Sequence, residues 1–199
     1  MGVCVCDVCA ANGMKISNTQ LAAALVTIGY EILPSTDWNN PEVIFEFDNR
    51  PEIEWYEKEW RKLLSTEPEA NGGPEDQSDP MPLLARTAKA RQWVIQQVIH
   101  GNHNEGLEIP SETMTTDNLH MAICLIAQGQ YLLKLDKLSR LFHFNKALEN
   151  TRAQFNDPEP GSDFYYSRSY LRELDQLVRK INARNLTRQQ KPDDITCPQ

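Results

Sequence analysis

TTDNLHMAICLIAQGQYLL, residues 115–133, echoes ISNTQLAAALVTIGYEIL, residues 16–33. A shift of 100 positions pairs Met14 with Met114, Asn18 with Asn118, Ala22 with Ala122, Leu25 with Leu125, Gly29 with Gly129 and Leu33 with Leu133, without a gap. Each copy opens on a capping residue, Ser17 or Asp117, followed by apolar residues at helical spacing. Leu21, Ala22, Leu25 and Val26 share one face, as do Met121, Ala122, Leu125 and Ile126, so each helix carries a stripe that must be buried. Gly29 and Gly129 stand where a left-handed residue ends a helix and where a Cβ would clash.

Beyond the glycines, YEIL and QYLLKL and then VIFEF and RLFHF alternate as half-buried strands do. Phe45 and Phe47 match Phe142 and Phe144, now at an offset of 97, so the first copy has three extra residues in its hairpin loop. This register turns the phenylalanines toward the helix and Ile44, Glu46, Leu141 and His143 away from it. His143 therefore reads as an exposed strand residue, not a ligand. Each hairpin leads to a polar helix, EIEWYEKEWRKLL or KALENTRAQF, and then to an acidic Pro/Gly stretch, STEPEANGGPEDQSDP or NDPEPGSD. Such stretches bury too little apolar surface to order themselves and read as flexible connectors. Two amphipathic helices follow, with stripes of Leu84, Ala88, Val94, Ile95 and Val98, and of Tyr170, Leu174, Leu177, Val178 and Ile181. The expected fold is α+β, two tandem β-α-β-β-α-α repeats packed as an internal pseudo-dimer, helix-dominated with short antiparallel hairpins. Its parts are an N-terminal extension at 1–13, repeat 1 at 14–100, a linker at 101–112, repeat 2 at 113–184 and a flexible tail at 185–199.

MKISNTQLAAALVTIGYEIL, VIFEF and DPMPLLARTAKARQWVI together resemble a small domain family of unknown function found in phages and bacterial genomes. That family has a short strand, a Leu/Ala-rich helix ending at a glycine, a hairpin with an F-x-F second strand, and terminal helices. The resemblance covers residues 14–99 and, more weakly, 112–182. The second copy departs from it at His120 and Gln128 and lacks the long hairpin loop. The resemblance implies a virus-associated origin and brings no activity or catalytic residues.

Charge and cysteines bound the function. The net charge is −8, and residues 1–82 carry 15 acidic and 5 basic side chains. Phosphate backbones are repelled by such a front half, so nucleic-acid binding is disfavoured except through the basic segment 179–191, with Arg179, Lys180, Arg184, Arg188 and Lys191. There is no apolar run long enough to span a membrane and no leader pattern, so the expected location is the host cytoplasm or a virion, without secretion. Cys124 falls in a helical apolar pattern and reads as a small core residue. Cys4, Cys6 and Cys9 have C-x-C-x-x-C spacing, one ligand short of a tetrahedral zinc site, which Cys197 or a histidine would have to complete. We expect no metal and no cofactor.

His100 and His103, with Glu105, lack the three- or four-residue helical spacing of metal ligands, because Gly101 ends the helix. No nucleophile elbow appears, and NGGPED is followed by none of the Lys and Ser/Thr of a phosphate loop. The chain is therefore read as a non-enzyme. In the helix from Glu52, Ile53, Tyr56, Trp60 and Leu64 share the core face, whereas Trp55 lies opposite among charges. Arg91 sits within an apolar stripe and snorkels. Trp38, Trp55, Ile44 and Leu141 are the candidate interface residues, with the two hairpins pairing to bury Ile44 and Leu141. The expected function is that of a phage- or prophage-type interaction or structural protein binding a protein partner. Its rivals are a nucleic-acid-binding accessory protein and an acidic inhibitor of a host defence enzyme acting on nucleic acid. A homo-oligomer is compatible with the same surfaces.

Overall fold

A computed structural model describes residues 13–40, 42–66, 79–100, 113–136, 139–145 and 150–189. Cys4, Cys6, Cys9, Cys197, His103, the linker 101–112 and residues 67–78 of the first acidic connector lie outside the described residues. Among those described, the order is β1 (Met14–Ile16), α1 (Thr19–Thr27), β2 (Phe45–Phe47), α2 (Pro51–Ser65), α3 (Met81–His100), β3 (Thr113–Thr116), α4 (Leu119–Ala127), β4 (Leu132–Asp136), β5 (Leu141–Asn145), α5 (Thr151–Asn156) and α6 (Asp163–Gln189). The fold is α+β, helix-rich with two short antiparallel sheets. No helix among the described residues is long and apolar enough to cross a membrane.

The chain forms two compact units, one of Met1–Trp55 with Glu173–Gln199 and one of Tyr56–Arg172. This division does not fall at the expected boundary near residue 100. α3, assigned by sequence to the first repeat, packs on α4 in the second unit. The later part of α6, assigned to the second repeat, belongs to the first unit.

In the first unit, β1 and β2 pair antiparallel, with Met14 opposite Phe47, Lys15 opposite Glu46 and Ile16 opposite Phe45. Ile16, Phe45 and Phe47 turn to the core with the Leu21–Leu25 stretch of α1, all nearly inaccessible to solvent, while Lys15 and Glu46 form an outward ion pair at 3.5 Å. Ser17 does not cap α1. β1 runs through Ile16, so one linking residue intervenes, and the Leu21 N–H donates to Asn18 Oδ1 at 3.0 Å. In the second unit Asn118, not Asp117, accepts from the Met121 N–H at 3.1 Å. The two caps agree closely in dihedrals, φ −81 and ψ 108 against φ −82 and ψ 109.

The two helices also end alike. Gly29 N–H reaches Val26 O and Tyr30 N–H reaches Leu25 O; Gly129 N–H reaches Ile126 O and Gln130 N–H reaches Leu125 O. This pair of bonds is a Schellman end, which needs positive φ at the glycine. The φ values are 100° and 83°. A Cβ would meet nothing within 4 Å at either position, so the requirement lies in the dihedral and not in the expected clash.

The second unit builds a three-stranded sheet of order β3-β5-β4. Leu132, Leu135, Phe142, Phe144 and Thr116 are buried on its inner face, and a bulge between Leu132 and Lys134 absorbs one residue of β4. Met81, Leu84, Ala85, Ala88 and Val94 bury one side of α3. Val98, expected in that stripe, is 47% exposed. α3 has twenty residues and its partner α4 nine, so α4 is too short to cover α3 along its whole length. Thr87 donates its hydroxyl proton to Leu83 O at 2.8 Å, so at 3.0 Å the Ser167 hydroxyl must be the donor to Thr87 Oγ1. Trp60 and Tyr170 stack obliquely, centroids 6.4 Å apart. NDPEPGSD is an ordered turn and not a flexible connector, because Phe155 and Phe164 pack edge-on across it at 6.0 Å and Arg168 donates to the carbonyls of Phe155 and Asn156. The expected tail also begins too early, since α6 continues to Gln189.

Burial pushes the Cys124 thiol up to about 12, with the Arg168 charge pulling slightly the other way, and burial raises the Tyr170 hydroxyl further, partly opposed by Arg91. Both groups are neutral when folded and ionise more readily when the chain opens, at about pH 8.5 and 10. The unfolded state thus binds fewer protons above pH 8.5, and stability falls as pH rises, by up to about 1.4 kcal/mol per pH unit for each group. Urea midpoints measured from pH 7 to 11 should decline from about pH 8.5, and Cys124→Ala should remove the first part of that decline. Gly129→Ala should cost about 1–2 kcal/mol by the same measurement at pH 7, through its dihedral alone.

Candidate functional site

The three extra residues of the first hairpin loop change what the hairpin is. YEIL contributes a single bridge, Ile32 to Phe47, in place of the expected strand. Leu33 N–H still reaches Glu46 O at 2.7 Å, but Pro34 then interrupts any ladder because it has no N–H to give. The chain turns instead, with Thr36 N–H bonding to Leu33 O at 3.0 Å. Thr36 is 4% exposed, and its Oγ1 accepts the Glu46 N–H at 2.9 Å, taking the place of a strand carbonyl. Asp37 Oδ1 accepts from Asn39 N–H at 2.9 Å and Asn40 Oδ1 from Glu42 N–H at 3.1 Å, two Asx turns that fix the rest of the loop.

This loop carries Trp38, whose backbone N–H bonds to Thr36 O at 3.0 Å and whose ring meets Phe45 edge-on at 5.7 Å and 81°. Two cations from the last turns of α6 lie over the same indole, Lys180 Nζ at 5.2 Å and Arg184 Cζ at 6.0 Å from its centroid. Arg184 Nη1 also donates to Asn39 Oδ1 at 3.2 Å. All these residues belong to the first unit. Lys180 and Arg184 are one helical turn apart, so a single helix face presents both. Among the described residues no carboxylate pairs with either, and both are exposed.

The sequence treated Trp38 and the segment 179–191 separately. The structure brings Trp38 together with Lys180 and Arg184, and the meeting joins positions more than a hundred residues apart, for which one sequence has no signal. Only the four-residue spacing of Lys180 and Arg184, continuous with the helical pattern before it, was visible. Trp38 is half-buried as a platform beneath these cations. Trp55, on α2, is 51% exposed, opposite the buried Ile53 and Trp60. Ile44 is 38% exposed and so is not buried as expected, because it precedes β2 on the side away from Phe45 and Phe47. Leu141, in the second unit, is half-buried on the outer face of β5 beside His143. His143 is likewise half-buried and its Nδ1 is enclosed without a hydrogen-bond partner. Among the described residues no group of three or more His, Cys, Asp or Glu side chains is placed to hold a metal ion.

An exposed cation–π contact contributes only about 0.5–1 kcal/mol. The cluster therefore adds little to stability while holding two uncompensated charges in place. Arg184 has five N–H donors and commits one to Asn39, leaving the others for an incoming acceptor. Chemically the arrangement presents positive charge and N–H donors above an aromatic base. Compared with known proteins, the chain matches no family model, no curated sequence and no solved structure.

Thr36→Val keeps the shape of the side chain and removes the acceptor for the Glu46 amide, so denaturant unfolding should show a loss of about 1–3 kcal/mol. Lys180→Ala and Arg184→Ala should each move the same midpoint by less than about 1 kcal/mol.

Proposed function

We propose that the chain is a non-enzymatic interaction protein of phage or prophage type, an internal pseudo-dimer that binds a protein partner through the surface carrying Trp38, Lys180 and Arg184. The observation that carries this reading is the placement of two unpaired cations on one half-buried indole. Interfaces concentrate their binding energy in tryptophan and arginine, and side chains already held in position lose less freedom on association. Exposed Trp55 adds a second anchor of the same chemical kind. The phage-type origin rests on the resemblance of residues 14–99.

The pseudo-dimer is supported by two features. The caps and ends of α1 and α4 agree bond for bond. Each copy's terminal helix also falls in the unit built on the other copy's strands and first helix, α3 with α4 and the later part of α6 with α1. A duplicated domain that has exchanged its terminal helices would have this composition, and neither half would then hold a complete core.

The test uses the full chain as bait in extract of the cells that encode it, followed by purification of the captured protein and calorimetric titration. A stoichiometric protein complex is expected, weakened at least tenfold by combined Lys180→Ala and Arg184→Ala and also by Trp55→Ala, with melting temperatures little changed. No stoichiometric protein partner, or unaltered affinity in both variants, would sink the reading. For the pseudo-dimer, residues 1–105 alone should show no cooperative melt by circular dichroism, whereas a fragment as stable as the whole chain would refute the exchange.

A further inference from the structure

We infer that the Trp38, Lys180 and Arg184 cluster receives a short acidic peptide segment of the partner, with carboxylates bridging Lys180 and Arg184 over the indole. The inference rests on the interaction reading above and adds to it the chemistry of the docking segment. Both cations lie within 6.0 Å of one ring centroid and one helical turn apart. Carboxylates two residues apart in an extended peptide are separated by about 6–7 Å, a spacing that one helical turn of cations matches. Arg184 retains donors for a two-pronged bond to a carboxylate, and the Lys180 ammonium meets no acceptor among the described residues.

The surroundings favour a peptide over a nucleic acid. The chain has 28 acidic against 20 basic side chains, and Glu31, Asp37 and Glu42, exposed on the same stretch of the first unit, carry three of those acids beside the cluster in sequence. A polyphosphate places a charge at every residue and is repelled where it runs from the basic segment 179–191 onto those acids. An acidic peptide can put its two carboxylates on Lys180 and Arg184 and neutral residues against the acids on either side. Trp38 supplies the apolar floor such neutral residues need.

The experiment titrates the full chain with a capped decapeptide of alternating Glu and Ser, its Gln/Ser counterpart and a ten-residue oligothymidylate. The readouts are calorimetry and the indole N–H resonance of Trp38, assigned by its disappearance in Trp38→Phe. The Glu peptide should shift that resonance and bind at least tenfold more tightly than the Gln peptide, with affinity falling as salt rises. Combined Lys180→Ala and Arg184→Ala should abolish the shift at unchanged melting temperature, while Lys180→Arg should retain it. Equal binding of the Gln peptide, tighter binding of the oligothymidylate, or an undiminished shift in the double alanine variant would each overturn the inference. None of these results would touch the protein-partner reading, which is decided by whether a partner is captured and whether its affinity changes in the variants named above. Self-association of the chain that disappears in the double variant would assign the cluster to a second copy and overturn it as well.

Discussion

The Glu46 amide needs an acceptor, and Thr36 supplies it from a side chain. A buried or half-buried backbone donor cannot be left unpaired without a penalty comparable to a lost hydrogen bond. In the second unit the equivalent strand β5 is satisfied on both edges by β3 and β4. In the first, Pro34 ends the ladder after one bridge, and the hydroxyl of Thr36 substitutes for the missing carbonyl. That substitution pulls the loop back onto β2 and sets Trp38 against Phe45, so one satisfied amide decides where the cation platform stands.

The same pairing explains how two stretches of similar sequence acquire different surfaces. Both keep a short first strand, an asparagine-capped helix and a glycine end. They diverge where the loop length differs. Residues 137–140 are all that separates the strands of the second hairpin, whereas the first folds its longer loop into consecutive Asx turns and presents an aromatic ring. The core face is held fixed by Phe45 and Phe47 or Phe142 and Phe144, which leaves the loop free to vary.

Element types and the inward faces were legible in the sequence because they depend on local periodicity. The phenylalanines of β2 and β5 and the burial of Trp60 and Cys124 follow from spacing alone, whereas α1 is buried along the consecutive run Leu21–Leu25, with Val26 of its expected stripe only half-buried. Cap positions were displaced by one residue, since Ser17 and Asn18 are both good caps and only the extent of β1 chooses between them. The order in NDPEPGSD escaped composition, because it comes from Phe155, Phe164 and Arg168 flanking the segment and not from the segment itself. Of the candidate interface, Trp38 and Trp55 could be singled out as tryptophans outside the core pattern, but the partners of Trp38 depend on where α6 ends up. The reassignment of α3 and α6 was illegible for the same reason: each helix has an apolar stripe, and a stripe does not specify whose core it covers.

The membership of the two units also orders events during synthesis. Tyr56–Arg172 is one uninterrupted stretch, so all the residues of that unit are available before the chain is finished. The unit of Met1–Trp55 has to wait for the segment Glu173–Gln199, and its strands and first helix emerge long before the helix segment that shares their unit. Closing that long interval is an entropic cost that the contiguous unit does not face. As the chain emerges from the ribosome, the contiguous unit is therefore the one able to fold first, with β1 and β2 held unfinished until the later part of α6 arrives.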